Sequence, residues 1–339
     1  MGEKAVKTIT DIARLAGVDK STVSRALSNS PLIGTETKER IRKIAQDNLF
    51  QINYNARSLS TQQSRTIGFV THAYHYKNAC YSISDLFLLE IMGAISTTLA
   101  CNNYDLLMAQ VDPFDTEWPR RYLDSGKVDG FILMTSTRKK NHIQFLAEMK
   151  APFIIWGYPI SDFNCCSVVG DNFTGGKLAA EHLIRNGRRK IAFIGGPAGE
   201  ADVQKRFSGF EFALKEAGVE IKENLVTYGE FSNISSTERM MSILEQSPDI
   251  DGVFANSDLM AVAAIQIIKE SGRKVPDDVA VIGYDNLSIG EITDPPLTTI
   301  SQNIPLVGKL LAQNLMGYLQ SGIMSNVTMP AELILRKSA

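Results

Sequence analysis

From Thr66 onward, short apolar runs alternate with longer amphipathic stretches, and this alternation limits the possible folds more than any other feature of the chain. Thr66–Thr71, Tyr104–Gln110, Gly130–Thr135, Phe153–Gly157, Lys190–Gly195, Gly252–Ala255 and Val279–Gly283 read as strands, because they are short, apolar and bounded by turn residues. Between them, Phe87–Asn102, Gly175–Asn186, Arg206–Ala217, Ser236–Glu245, Asp258–Ser271 and Ile304–Gln320 carry apolar residues at helical spacing. Strands separated by helices pair in parallel, with helices covering both faces of the sheet. The number of such units over residues 66–339 predicts an α/β fold of two doubly wound parallel-sheet lobes. Ligands of such sheets sit in the crevice outside the strand C-termini, so the loops there are where chemistry is sought.

The first 65 residues follow a different pattern. Thr8 with Asp11 makes a capping-box-like start, Ile9, Ile12, Ala13 and Ala16 recur at helical spacing, and Gly17 ends the segment. Asp19 is placed to cap a second helix that turns Val23 and Leu27 inward. A third helix starts near Thr35 and is expected to bury Ile41, Ile44, Ala45 and Leu49. The fold class is therefore an N-terminal all-α head joined to the α/β body. The second helix follows the Ala16-Gly17-Val18 turn directly, the helix-turn-helix arrangement whose second helix enters the major groove. Its outer face carries Lys20, Ser21, Thr22, Ser24 and Arg25, short or cationic groups able to meet base edges and phosphates.

Charge is distributed accordingly. The whole chain has a net charge of −2, but its first 65 residues hold eleven Lys and Arg against six Asp and Glu, a surplus of five, leaving −7 for the remainder. A basic head on an acidic body suits a DNA-reading module attached to a sensor. After the head comes a polar stretch, Asn53 to Arg65, which is too short to be a stable helix alone. It is either a linker or a hinge that becomes helical on DNA, with Leu59 wedging between base steps in the minor groove.

Thr8-Ile9-Thr10-Asp11-Ile12-Ala13-Arg14-Leu15-Ala16-Gly17-Val18, followed by Ser21-Thr22-Val23-Ser24-Arg25-Ala26-Leu27, resembles the head of the LacI/GalR family of bacterial regulators, and Asn53, Ala56, Arg57 and Leu59 match that family's hinge. The resemblance implies domains at residues 1–52 (helix-turn-helix head), 53–65 (hinge) and 66–339 (effector-binding and dimerisation domain of two lobes like periplasmic binding proteins). It implies that Lys20, Ser21 and Arg25 read bases, that Leu59 intercalates, that Ala56 sits in the minor groove, and that the chain crosses between lobes near residues 158–165 and 284–302. Ser28, Gly34 and Ile52 depart from the family pattern, which usually has Asn, a Ser cap and Pro there.

The same resemblance points to a set of effector-binding loops. Ser84-Asp85-Leu86-Phe87 looks like a family Ser-Asp-Pro-Phe-Phe loop with Leu in place of Pro. Arg206 matches the ligand-anchoring arginine, Gly229-Glu230-Phe231 a loop that supplies a stacking aromatic, and Asn256-Ser257-Asp258 a loop whose aspartate holds ligand hydroxyls. Asp171-Asn172 follows a short strand, and Trp156 ends another. Carboxylates, a planar guanidinium and aromatic faces together suit a sugar. Asp171 and Asp258 can equally be helix N-caps. Phe87 and Trp156 either line the cleft or pack in the core. Val281-Ile282-Gly283-Tyr284-Asp285-Asn286, another family match, is expected to be structural or to couple closure to subunit contacts more than to touch ligand.

The expected function is a sequence-specific repressor, cytoplasmic and homodimeric, that binds a near-palindromic double-stranded operator under control of a sugar effector. A solute-binding protein is the alternative, against which the head argues. A sugar-modifying enzyme is weaker still. Gly195-Gly196-Pro197-Ala198-Gly199 lacks the Gly-Lys-Ser/Thr ending of a phosphate loop, and no nucleophile-base or paired-carboxylate constellation is legible. Cys80, Cys101, Cys165 and Cys166 show no metal spacing and read as reduced thiols. No cofactor is expected. No apolar run reaches the roughly 20 residues that a bilayer span needs.

Overall fold

The structure is a computed structural model that describes residues 8–50, 63–72, 75–76, 79–80, 85–112, 115–134, 140–159, 163 and 165–339. It divides into two compact units, Met1–Ser64 and Arg65–Ala339.

The head contains α1 (Ile9–Ala16), α2 (Lys20–Leu27) and α3 (Thr35–Asp47). Thr8 and Asp11 form the expected capping box: the Asp11 N–H donates to Thr8 Oγ1 at 3.3 Å, and the Thr8 N–H donates to Asp11 Oδ2 at 3.1 Å. Gly17 then adopts a left-handed φ of 63°, which ends α1 and lets α2 start within three residues. Asp19 precedes α2 but makes no side-chain capping bond, and Gly34, having no side chain, cannot cap α3. Ile12, Ala13, Ala16, Val23, Ala26, Ile41 and Ala45 make the buried core of the head. The expectation that Leu49 is buried is corrected, since it is 90% exposed. The helix has ended by then, Leu49 takes a left-handed φ of 51°, and Phe50 packs against the core instead, its N–H donating to Ala45 O at 2.8 Å.

Among the described residues, the body contains two six-stranded sheets. The first has the order β13-β7-β6-β5-β1-β4, with β1 (Thr66–His72), β4 (Asp105–Val111), β5 (Gly130–Met134), β6 (Phe153–Trp156), β7 (Cys166–Gly170) and β13 (Val327–Met329). The second has the order β14-β12-β11-β10-β8-β9, with β8 (Ile191–Gly195), β9 (Val226–Tyr228), β10 (Gly252–Ala255), β11 (Ala280–Asp285), β12 (Thr298–Ser301) and β14 (Glu332–Ile334). All pairs are parallel except β12 with β14. Between β1 and the first body helix, β2 (His75–Tyr76) and β3 (Ala79–Cys80) form a small antiparallel ladder.

The helices that cover the sheets are α4 (Leu86–Cys101), α5 (Trp118–Leu123), α6 (Lys140–Glu148), α7 (Asn172–Arg185), α8 (Ala201–Glu216), α9 (Asn233–Gln246), α10 (Asp258–Glu270), α11 (Ile289–Ile292) and α12 (Ile304–Ser321). Each lobe buries two apolar clusters: Ile67, Ile95, Ile132 and Leu311 belong to one and Phe131 and Trp118 to another in the first lobe, while Val253, Ala264 and Val281 belong to one and Phe193, Phe210 and Ile282 to another in the second.

The first crossing lies later than the expected 158–165, and the second falls within the expected 284–302. The chain leaves the first sheet after Gly170 and leaves the second after Ser301 to form α12, which packs in the first-lobe core. It then pairs Val327–Met329 with β7 and Glu332–Ile334 with β12. In the sequence β7 reads only as a short strand before Asp171 and β12 is not marked, and the positions of both decide where the lobes meet. Helix α8 also begins before its expected start at Arg206, so that Asp202 and Arg206 stand about one turn apart on one face.

Helices α7 and α8 touch through glycines. A methyl at Gly176 would lie 1.9 Å from the Arg206 carbonyl oxygen, and one at Gly209 would lie 1.9 Å from the Phe173 carbonyl oxygen. Backbone cannot retreat as a flexible side chain can, so Gly176→Ala is expected to cost roughly 1–3 kcal/mol by overpacking. A fall in the urea midpoint of the purified chain checks this, and an unchanged midpoint would contradict the close approach of the two helices.

Candidate functional sites

On the head, Lys20, Ser21, Ser24 and Arg25 are exposed along α2 and Thr22 is half-buried, while Val23 and Ala26 on the opposite face are buried. A short helix set by a glycine turn thus presents a polar, cationic face from a packed trihelical unit, and such a face can meet a phosphate backbone and the donors and acceptors of the major groove. Asn53, Ala56, Arg57 and Leu59 lie outside the described residues, as does Ser84.

In the body, one network stands at the C-terminal ends of the second-sheet strands. Arg206 is 6% exposed. Its Nε donates to Asn172 Oδ1 at 2.7 Å, and its Nη1 donates to Asn256 O at 2.6 Å and to Asn256 Oδ1 at 2.9 Å. The guanidinium lies 3.7 Å over the ring of Tyr284, whose hydroxyl donates to Asn172 Oδ1 at 3.3 Å. Asn172 Nδ2 in turn donates to Asp202 Oδ1 at 2.9 Å. A buried cation needs such partners, because its loss of water must be offset by hydrogen bonds and opposite charge.

Carboxyl groups supply the opposite charge. Burial raises the Asp202 pKa, and the positive charge of Arg206 pulls it back down. Asp285, in β11 at a φ of 113°, accepts from Gln302 Nε2 at 2.6 Å. Burial pushes its carboxyl well above the ordinary range, again opposed by Arg206. The Tyr284-Asp285 segment, expected to be structural, packs its tyrosine ring under the Arg206 guanidinium and ties its aspartate to Gln302.

Two buried polar atoms of this network, Asn256 Nδ2 and Gln302 Oε1, have no hydrogen-bond partner among the described residues. Buried polar groups are nearly always satisfied, so an unmatched donor and an unmatched acceptor make this network a candidate site for a polar guest. Asn172, Asp202, Asn256, Asp285 and Gln302 were not picked out as ligand groups by sequence reasoning. The available signal was their position, since each follows or ends a strand or opens the helix after one.

The remaining predicted residues are dispersed. Asp258 is fully buried, with one carboxyl oxygen accepting from the Leu287 N–H at 2.6 Å and the other from the Thr299 hydroxyl. The expectation that it holds ligand hydroxyls is corrected, because those oxygens fasten the segment leading out of β11. Nor is Asp258 the helix cap, which is Ser257, accepting from the Met260 N–H at 3.3 Å. Asp171 does cap α7, accepting from the Thr174 N–H at 3.0 Å. Asp85 caps α4, accepting from the Phe87 N–H at 3.0 Å and the Leu88 N–H at 3.4 Å. Trp156 is buried in the first-lobe core, with the half-buried Phe87 ring 6.2 Å away, so core packing takes most of both side chains. Phe231 is exposed and lies across Gly196, where an added methyl would meet its ring at 2.4 Å.

Known proteins resemble this chain in both its head and its body. A family model described as "Bacterial regulatory proteins, lacI family" matches residues 8–54, and one described as "Periplasmic binding protein-like domain" matches residues 180–339. The chain is 33% identical to the HTH-type transcriptional regulator CelR of Thermobifida fusca, over 97% of this chain and 95% of that protein. It is 30% identical to the HTH-type transcriptional repressor PurR of Histophilus somni, over 89% of each. Among solved structures, a CelR-cellobiose complex superposes with a TM-score of 0.73 at 30% identity, covering 98% of this chain and 99% of that one. A lac repressor bound to ONPG superposes with a TM-score of 0.82 at 25% identity, covering 99% of this chain and all of that one. With the exposed recognition helix and the two-lobed body in place, the chain belongs to the LacI family of bacterial regulatory proteins and is a DNA-binding transcription regulator.

Proposed function

We propose that this regulator is a cytoplasmic, homodimeric repressor whose hold on a near-palindromic duplex operator is governed by a sugar bound at the Arg206 network, and that it acts by binding alone, without catalysis. The buried fork of Arg206, with an unmatched donor on Asn256 and an unmatched acceptor on Gln302 beside it, carries the reading. A polyol supplies both missing partners, because each hydroxyl donates and accepts. The exposed Phe231 ring adds an apolar face for the C–H side of a pyranose. The relative solved with cellobiose, similar over nearly the whole chain, supports a carbohydrate as effector. Two-fold symmetry of a dimer matches two heads to two half-sites.

The test is operator binding by the full chain, with and without a panel of sugars. Tight binding to one duplex over random duplex at moderate salt, shifted by at least one sugar, is the expected result. Equal affinity for all duplexes would sink the regulator half of the reading. Arg25→Ala should weaken discrimination by roughly 1–3 kcal/mol if Arg25 makes a bidentate base contact. Because Arg25 is exposed, its circular dichroism and melting temperature should stay unchanged.

A further inference from the structure

Tyr284, near the end of β11, is fully buried, so a guest in the cleft does not reach it. It nevertheless meets the Arg206 network twice. The guanidinium carbon lies 3.7 Å over its ring centroid, a stacking distance. Its hydroxyl donates to Asn172 Oδ1 at 3.3 Å, and the same oxygen accepts from Arg206 Nε at 2.7 Å. The ring is fixed in turn. Buried Phe254 lies 6.3 Å from it, and buried Phe210 lies 5.7 Å from Phe254. On the hydroxyl side stands Gly175 of α7, where an added methyl would come within 2.4 Å of the oxygen. Of the guanidinium nitrogens, Nε and Nη1 are committed to Asn172 and Asn256, and Nη2 donates to none of the described residues.

We infer that Tyr284 is a positioning residue for the effector: its ring and hydroxyl hold the Arg206 guanidinium in the plane that leaves Nη2 for the guest. This rests on the reading of Arg206 as the anchor of a bound sugar and adds the residue that fixes the anchor. The hydrogen bonds of Nε and Nη1 hold the guanidinium at two points and leave it free to tilt about the line between them. A flat ring stacked beneath opposes that tilt, because a planar cation loses face-on contact when it rotates. The hydroxyl acts on the same geometry from the side, since it helps to place the Asn172 oxygen that Nε uses. Arginine is long and rich in rotamers, so freezing it at the moment of binding lowers affinity. A guanidinium already held in place avoids that loss.

The experiment is isothermal titration of the full chain with cellobiose, glucose, galactose and ribose. Tyr284→Phe and Tyr284→Leu are each measured alone and together with Arg206→Lys. Tyr284→Phe keeps the ring, so affinity for the sugar that the unmodified chain holds best should fall by no more than about 3-fold. Tyr284→Leu removes the flat face and should weaken that sugar by roughly 10-fold or more. In the Arg206→Lys background the leucine change should cost less than about 3-fold, because an ammonium has no plane for a ring to align. Equal losses in both backgrounds mean that the ring acts through the fold alone and overturn the inference. A leucine variant that binds as the unmodified chain does overturns it too. Tyr284→Met repeats the test with a more adaptable side chain should leucine not fold. A readout without sugar separates this inference from the carbohydrate reading. The Arg206 Nε–H proton signal of isotope-labelled chain should stand upfield, shifted by the ring current of Tyr284, and should move downfield in the leucine or methionine variant. If none of the sugars binds, the carbohydrate reading fails. An Nε–H signal that either folded variant leaves unmoved overturns the positioning role.

Discussion

Arg206→Ala is expected to abolish effector binding and to destabilise the unit Arg65–Ala339 by about 3–5 kcal/mol, the usual cost of removing one member of a buried charged set. The argument follows the hydrogen bonds. Without the guanidinium, Asn172 Oδ1 loses a donor at 2.7 Å and Asn256 O loses one at 2.6 Å, and the desolvated carboxyls of Asp202 and Asp285 lose the charge that opposes their burial. Arg206→Lys separates the two effects. It restores the charge but not the planar fork, so it cannot hold Asn172 and Asn256 together. We expect the lysine variant to recover most of the stability while binding effector roughly 10- to 100-fold more weakly, the loss of one or two charge-assisted hydrogen bonds. Urea unfolding and titration with the best-binding sugar measure the two quantities. A lysine variant that binds sugar as the unmodified chain does would show that the fork contributes only charge.

The second large effect belongs to Asp258. Burial pushes its carboxyl from an ordinary value of 3.8 up to about 7, opposed by the hydrogen bonds from Thr299 and the Leu287 N–H. A folded-state value above the unfolded one means that the folded chain holds the proton more tightly. This contribution favours folding below about pH 4 and is lost as the pH rises through neutrality. At about 1.4 kcal/mol per unit, the change over that window is of order 4 kcal/mol. Asp258→Asn carries no titrating proton, and its amide can accept from Leu287 with its oxygen while donating to the Thr299 oxygen. We expect it to fold and to flatten the decline in urea midpoint between pH 5 and pH 8. Asp258→Ala leaves the Leu287 N–H and the Thr299 hydroxyl buried without partners, at about 1–3 kcal/mol each. An asparagine variant with the same pH profile as the unmodified chain would show that Asp258 is not the group responsible.

Asp258 also explains how the segment after β11 is placed. Leu287, held by its N–H, lies in the first-lobe apolar cluster, although the carboxylate that holds it belongs to a second-lobe helix. Next to it, the N–H and hydroxyl of Ser288 both donate to Glu90 on α4. A polar fastening and an apolar insertion therefore act on consecutive residues, one directed to each lobe.

Local sequence determined the elements and their kinds. The Thr8–Asp11 box, the apolar spacing of Ile12, Ala13 and Ala16 and the Gly17 stop specify α1 with no tertiary information, because capping, periodicity and left-handed glycine act within a few residues. The strands that read as unbroken apolar runs, such as Gly252–Ala255 and Gly130–Met134, were legible because both of their faces are covered. Thr298–Ser301 was not, being rich in polar residues, and Cys166–Gly170 showed only as a short strand before Asp171, so the first crossing was placed too early. Leu49 looked like a core residue until a left-handed turn swung it out.

Only tertiary packing decided the partners of the acids near the strand ends. Asp258 and Asp285 both stand at strand ends and look equivalent in sequence. The folded chain turns one toward Leu287 and Thr299 and the other toward Gln302. The partners of Arg206 lie 34 and 50 residues away along the chain, and Tyr284 reaches Asn172 over 112. No local periodicity spans such distances. The arrangement exists because parallel strands bring their C-terminal ends to one edge, where burial raises the cost of every charge left without a partner.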